Sequence, residues 1–202
     1  MFRLILLFTF VTTLAIGQDF VSVPYDTLLV KQDSAGYDLL EAGRMDGYTY
    51  HVRCRILNDS VSEVQRLLIY DRNDSLIFKS MALLESHTYR LRFFKSTQLP
   101  DVTILLAHYS LQHSLGNDVY TIENGVVRHL GLLDIGTYNV EDIPGDIADF
   151  LNISVEDGAV IFRFVPAEVV FNPGGPARRT LRNEQIQYEY SHREWREMTI
   201  YE

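Results

Sequence analysis

Apolar and polar positions alternate with a period of two along much of the chain. From Tyr48 to Leu57, one face carries Tyr48, Tyr50, Val52, Cys54 and Ile56, and the other Thr49, His51, Arg53 and Arg55. This spacing predicts an antiparallel strand with one face in a core and one in water. Tyr89, Leu91 and Phe93 alternate in the same way with Arg90 and Arg92, and Leu151, Ile153 and Val155 with Asn152 and Ser154. Near the C-terminus, Ile186, Tyr188 and Tyr190 alternate with Gln187 and Glu189. Asp101–Tyr109 instead holds an apolar run from Val102 to Ala107, which predicts a strand buried on both faces.

Turn signals divide these segments into hairpins. Val119–Leu130 folds about Glu123-Asn124-Gly125, and Leu151–Val165 about Glu156-Asp157-Gly158. Asn-Gly supplies the positive φ angles that a tight hairpin turn demands. Val64–Lys79 repeats the pattern more loosely around Asp71-Arg72-Asn73-Asp74. Helical spacing is confined to Asp142–Phe150, where Ile143, Ile147 and Phe150 share a face, and to a turn at Ser80–Ser86. The expected fold is all-β: an antiparallel sandwich or barrel of roughly ten strands with at most one or two short helices. No repeat period emerges, which disfavours a propeller. Asn172-Pro173-Gly174-Gly175-Pro176 marks a loop or weak boundary at 172–177. The C-terminal remainder is too short to bury its own core, so residues 18–202 are expected to form one domain.

The first 17 residues read differently. Arg3 precedes an apolar run from Leu4 to Ile16, and small residues stand at Ala15 and Gly17. A helix of that length rises about 20 Å, short of the roughly 30 Å of a hydrocarbon core. The pattern is that of a secretory signal peptide at 1–17, with Gln18 as the mature start. The expected location is therefore secreted or periplasmic, and the mature chain carries no transmembrane segment.

Composition narrows the function. The 202 residues are 47% hydrophobic, with one cysteine, and 27 acidic against 18 basic side chains give a formal charge of −9. That apolar content builds a core and excludes disorder. The single Cys54, alternating with core residues, excludes a disulfide scaffold. The negative charge argues against nucleic acid as a partner.

Candidate chemistry is sparse. Between Arg128 and Arg163 the chain has no lysine or arginine, yet it carries seven carboxylates, among them Asp142, Asp146 and Asp157. A hard cation such as calcium would offset their repulsion, which makes those three the candidate metal ligands, with solvated loops as the plainer explanation. Asp71-Arg72-Asn73-Asp74-Ser75 resembles the opening of a calcium loop but lacks the glycine and closing glutamate, and suits a β-turn better. His108, His113 and His129 would make a zinc trio only if the following hairpin folded back on the first two.

No nucleophile elbow, glycine-rich phosphate loop or reactive cysteine is evident. Tyr188, Tyr190 and Trp195, with Arg178, Arg179 and Arg182, form the candidate interaction surface. The basic end could also pair with the acidic stretch, within one molecule or between two. The function expected is an exported, non-catalytic binding module for a protein or glycan, with no required cofactor. The alternatives are a structural envelope component that self-associates and a hydrolase with a paired-carboxylate site.

Overall fold

The computed structural model describes residues 18–27, 38–56, 63–81, 83–84, 88–110, 114–138 and 144–199. Residues 1–17, where a signal peptide is expected, together with Asp142 and His113, lie outside these residues. The first strands are β1 (Phe20–Val23), β2 (Asp26–Thr27), β3 (Asp38–Met45), β4 (Tyr48–Ile56), β5 (Glu63–Tyr70), β6 (Leu76–Lys79) and β7 (Leu83–Leu84). The middle of the chain forms β8 (Thr88–Ser96), β9 (Val102–Ser110), β10 (Ser114–Glu123), β11 (Val126–Leu133), β12 (Ile135–Tyr138) and β13 (Pro144–Gly145). After these come β14 (Leu151–Glu156), β15 (Ala159–Phe164), β16 (Glu168–Phe171), β17 (Arg179–Arg182), β18 (Ile186–Ser191) and β19 (Glu194–Thr199). Two 3-10 turns, Ala148–Phe150 and Asn183–Gln185, are the helical elements among the described residues.

The strands form three antiparallel sheets. The largest has nine, in the order β11-β10-β9-β8-β1-β14-β15-β18-β19, and curls until its two edge strands approach each other. At that seam Trp195 of β19 lies on Gly131 of β11, where a Cβ would come within 2.3 Å of the indole. Glycine is therefore required for the edges to meet. A six-stranded sheet, β2-β3-β4-β5-β6 with β7 also on β5, stacks on the outside of the first. A four-stranded sheet, β13-β12-β16-β17, adds Ile135 and Val169 to the interior of the large one.

Alternation explains why the layers stack. On the inner face of the curled sheet, Phe94, Ile104, Leu106, Val119, Ile153 and Phe162 make a first core. On the outer face of β8–β10, Leu91, Phe93, Leu105 and Ala107 meet Tyr50, Val52, Leu67 and Ile69 of the second sheet in another core. β9 is thus buried on both faces, as its unbroken apolar run predicts. Each such side chain contributes about 1.5–3 kcal/mol when buried, against about 0–1 for an exposed ion pair. Stacking of the sheets, not surface charge, holds the layers together.

Three hairpins turn on residue pairs with positive φ: Asp46-Gly47, Asn124-Gly125 and Asp157-Gly158. The hairpin between β18 and β19 instead places His192 and Arg193 at φ of 51° and 67° without a glycine. Asp71 closes the β5–β6 connection, its carboxylate accepting the Asn73 and Ser75 amides at 2.8 and 2.9 Å. These bonds lower its pKa, Ser75 first and then Asn73, and make the segment a side-chain-capped turn. The 172–177 segment joins β16 to β17, two strands that pair with each other.

The strands exceed the roughly ten expected, because several are short, as at β2, β7 and β13. The helix expected over Asp142–Phe150 reduces, in its described part, to the three residues Ala148–Phe150. In the 80–86 segment Leu83 and Leu84 pair with Gln65 and Val64, because β5 runs past β6 and offers them its free edge.

Candidate functional site

The six-stranded sheet stops at β6, whereas the larger sheet beneath it continues through β10 to β11. The step between them is a cleft of about 360 Å³. Phe78, Lys79, Ser80 and Met81 form its wall, and Asp118, Tyr120 and His129 its floor. The hairpin register makes the floor. Tyr120 and His129 face each other across β10 and β11, with ring centroids 5.0 Å apart. Asp118, two residues before Tyr120, shares its face, so its Oδ1 reaches His129 Nε2 at 3.0 Å. Phe78 meets the Tyr120 ring edge-on at 5.4 Å. Ser80 fixes the wall to the sheet: its Oγ accepts the buried Leu67 amide at 3.0 Å.

The hydrogen bond to Asp118 raises the His129 pKa, burial opposes it, and the Asp118 charge and Gly131 backbone add to the rise. A ring bonded to both Asp118 and the Gly131 backbone is a fixed edge rather than a free base. The His129 side chain is 44% exposed and Asp118 only 16%, so the imidazole end of the pair faces solvent. Lys79 is exposed at the same mouth, and Met81, 83% exposed, forms an apolar lip. The apolar surface of Phe78, Tyr120 and Met81 beside the Lys79 ammonium and the His129 imidazole can hold an apolar body carrying a negative group.

On the opposite, inner face lies a buried polar network. His108 follows Ile104 and Leu106 on the core side of β9, opposite Asn117 of β10. His108 Nε2 is 3.1 Å from Ser114 Oγ, and His108 Nδ1 is 3.8 Å from Asp146 Oδ2. Asn117 Nδ2 and the Ala148 amide donate to Asp146 Oδ1 at 3.2 and 2.9 Å.

Of the three carboxylates expected to hold calcium, Asp142 lies outside the described residues. Asp146 is engaged in this network, and Asp157 occupies the β14–β15 turn at φ 49°. Among the described residues, no three His, Cys, Asp or Glu side chains gather to hold a metal ion. The zinc trio fails on topology, because His108 points into the first core while His129 lies on the opposite face with Tyr120.

The expected aromatic interaction surface is instead partly core. Tyr188 is 1% exposed, and Trp195 stacks on it at 5.3 Å. Tyr190 packs half-buried against the same core. The alternation of Ile186 and Tyr188 already places Tyr188 inward. Arg179 lies over the Phe171 ring at 4.9 Å and Arg182 pairs with Glu184, while Arg178 sits in the β16–β17 connection. The Cys54 side chain lies outside the described part of the molecule.

Comparison with protein-family models, curated proteins and solved structures gave no match. The cleft therefore rests on its geometry alone. Its one sequence signal is the pairing across Asn124-Gly125: a two-residue turn there sets Thr121 opposite Arg128. The same register sets Tyr120 opposite His129, with Asp118 on the Tyr120 face by alternation, and the register shift lies beyond this pair, between Val119 and Tyr120.

Proposed function

We propose that the protein is an exported binding module that captures an extended segment of a partner protein in the β6–β11 cleft. The observation that carries this reading is the step itself, where the outer sheet ends at β6 over a floor of Tyr120, His129 and Asp118. Among the described residues no strand pairs with the outer edge of β6. An extended chain added there hydrogen-bonds to the β6 backbone and lowers alternate side chains onto Phe78, Tyr120 and Met81. A glycan makes no such use of a strand edge. Lys79 and His129 at the mouth select a segment that mixes apolar and acidic residues.

The test is fluorescence anisotropy of the purified protein with a labelled eight-residue peptide alternating valine and glutamate, against one alternating valine and lysine. The reading predicts binding of the first only, weakened by salt and reduced at least about tenfold in the Lys79→Glu/His129→Gln variant, the loss of about 1.4 kcal/mol expected from two charge contacts. Equal affinity in that variant, or no binding of either peptide, overturns it.

A further inference from the structure

The buried network on the inner face of β9 and β10 has a second property, independent of the cleft. Ser114, His108 and Asp146 stand in line, with hydroxyl, imidazole and carboxylate separated by 3.1 and 3.8 Å. The described contacts of Ser114 Oγ are His108 Nε2 and the Gly116 amide, a donor at 3.3 Å. The hydroxyl proton therefore goes to Nε2, which leaves the imidazole proton on Nδ1, facing Asp146. Asp146 is held in turn by Asn117 and the Ala148 amide. Burial lowers the His108 pKa, Asp146 opposes it, and Arg90 and Arg92 lower it further, so the ring is neutral at pH 7. These are the relations of nucleophile, base and orienting carboxylate. Distances between such groups are often long before substrate binds.

The local backbone adds a second observation. The β9–β10 register shifts between Ser114 and Gly116, and Gly116 takes φ of +121°. A Cβ on Gly116 would come within 2.7 Å of the Leu133 carbonyl, so this conformation needs glycine. The bulge aims the Gly116 amide at Ser114 Oγ, where it can stabilise negative charge developing on that oxygen. His108 Nδ1, Asp146 Oδ2 and Asn117 Oδ1 are also buried without hydrogen-bond partners. A structural network would be expected to satisfy them.

We infer that Ser114 is an activated nucleophile that accepts the acyl group of small esters. Ser114 Oγ bonds to the carbonyl carbon as its proton passes to His108 Nε2. The bond to the leaving oxygen then breaks, and Nε2 returns the proton to the departing alcohol. Water, deprotonated by Nε2, attacks the acyl carbon. The bond to Oγ breaks, Ser114 regains its proton and the acid leaves, so ester and water become acid and alcohol. Ser114 is 2% exposed, and Leu115 packs beneath Gly174 of the β16–β17 connection. Burial of Ser114 restricts the class to short acyl groups, and their entry requires local opening of the packing around it.

The experiment treats the purified protein with a small alkyl fluorophosphonate and locates the adduct by intact mass and peptide mapping. One adduct on Ser114 is expected, absent in Ser114→Ala. The labelling rate should fall about 100-fold in His108→Gln, the scale of a lost general base, and rise in Leu115→Ala, which loosens the packing next to Ser114 in the chain. In Asp146→Asn the pH profile of labelling should shift, which a purely structural carboxylate would not cause. Circular dichroism checks that each variant is folded. No adduct in either the wild type or Leu115→Ala, or an adduct that survives Ser114→Ala, overturns the inference.

Discussion

Gly131 and Trp195 meet where the edges of the nine-stranded sheet approach, and the contribution of this pair can be tested quantitatively. A Cβ at residue 131 would lie 2.3 Å from Trp195 Cδ1 and 2.6 Å from Nε1. The indole cannot give way freely, because it stacks on Tyr188 at 5.3 Å and meets Phe162 edge-on at 5.2 Å. Gly131→Ala therefore overpacks the seam, at a cost of about 1–3 kcal/mol. Trp195→Ala removes a partly buried aromatic. A fully buried one costs about 3–5 kcal/mol, and discounting for exposure leaves about 2–3.

If the two effects were independent, the double variant would lose about 3–6 kcal/mol, their sum. If the indole is what the new methyl strikes, the double variant should cost no more than Trp195→Ala alone. The coupling would then be about 1–3 kcal/mol. Urea unfolding followed by far-ultraviolet circular dichroism measures this, since Trp195 is the sole tryptophan and its loss removes the fluorescence signal. In a chain of this size each kcal/mol lowers Tm by about 2–4 °C, a second readout. A Gly131→Ala cost that is the same with and without Trp195 would refute closure by this contact.

The two histidines should respond oppositely to pH. The raised pKa of His129 makes its contribution complete below its unfolded value of 6.5 and lost as pH rises through the folded value. The stability gap between wild type and His129→Gln should therefore narrow on going from pH 6 to about pH 9. The lowered pKa of His108 makes the unfolded state bind the proton first, so stability falls as pH drops below 6.5, and His108→Gln should flatten that acid limb in urea titrations. Ser80→Ala should leave the buried Leu67 amide unpaired and cost about 1–3 kcal/mol in urea unfolding. Glu156, paired with Arg163, has its pKa lowered to about 2, so its contribution is present above its ordinary 4.5 and lost as pH falls towards 2. Because the pair is exposed, Glu156→Gln should cost under about 1 kcal/mol at pH 7, and less in high salt.

Local physics made much of the fold legible in the sequence. The alternation of Tyr50 and Val52, the unbroken apolar run of β9 and the Asn124-Gly125 turn each depend on neighbours in the chain. The insertion of β1 between β8 and β14 does not. Phe20 pairs with Ser96 and Ile153, partners chosen by long-range packing. The β18–β19 turn carries no turn-forming residue at His192 or Arg193, so nothing local marks it. The candidate sites were obscured for similar reasons. His129 and Asp118 meet diagonally across β10 and β11 rather than as direct cross-strand partners, and Asp146 reaches His108 across 38 residues of chain. Tyr188 carries a polar tip that suits a surface, but its alternation with Ile186 places it inward.

Amide hydrogen exchange of the protein, with and without the valine–glutamate peptide, tests the binding-module account most directly. The account predicts slowed exchange in residues 76–81, where the added chain would pair with β6, and at His129 beneath it. Exchange unchanged there, or slowed only along another edge such as β2 or β17, would contradict it.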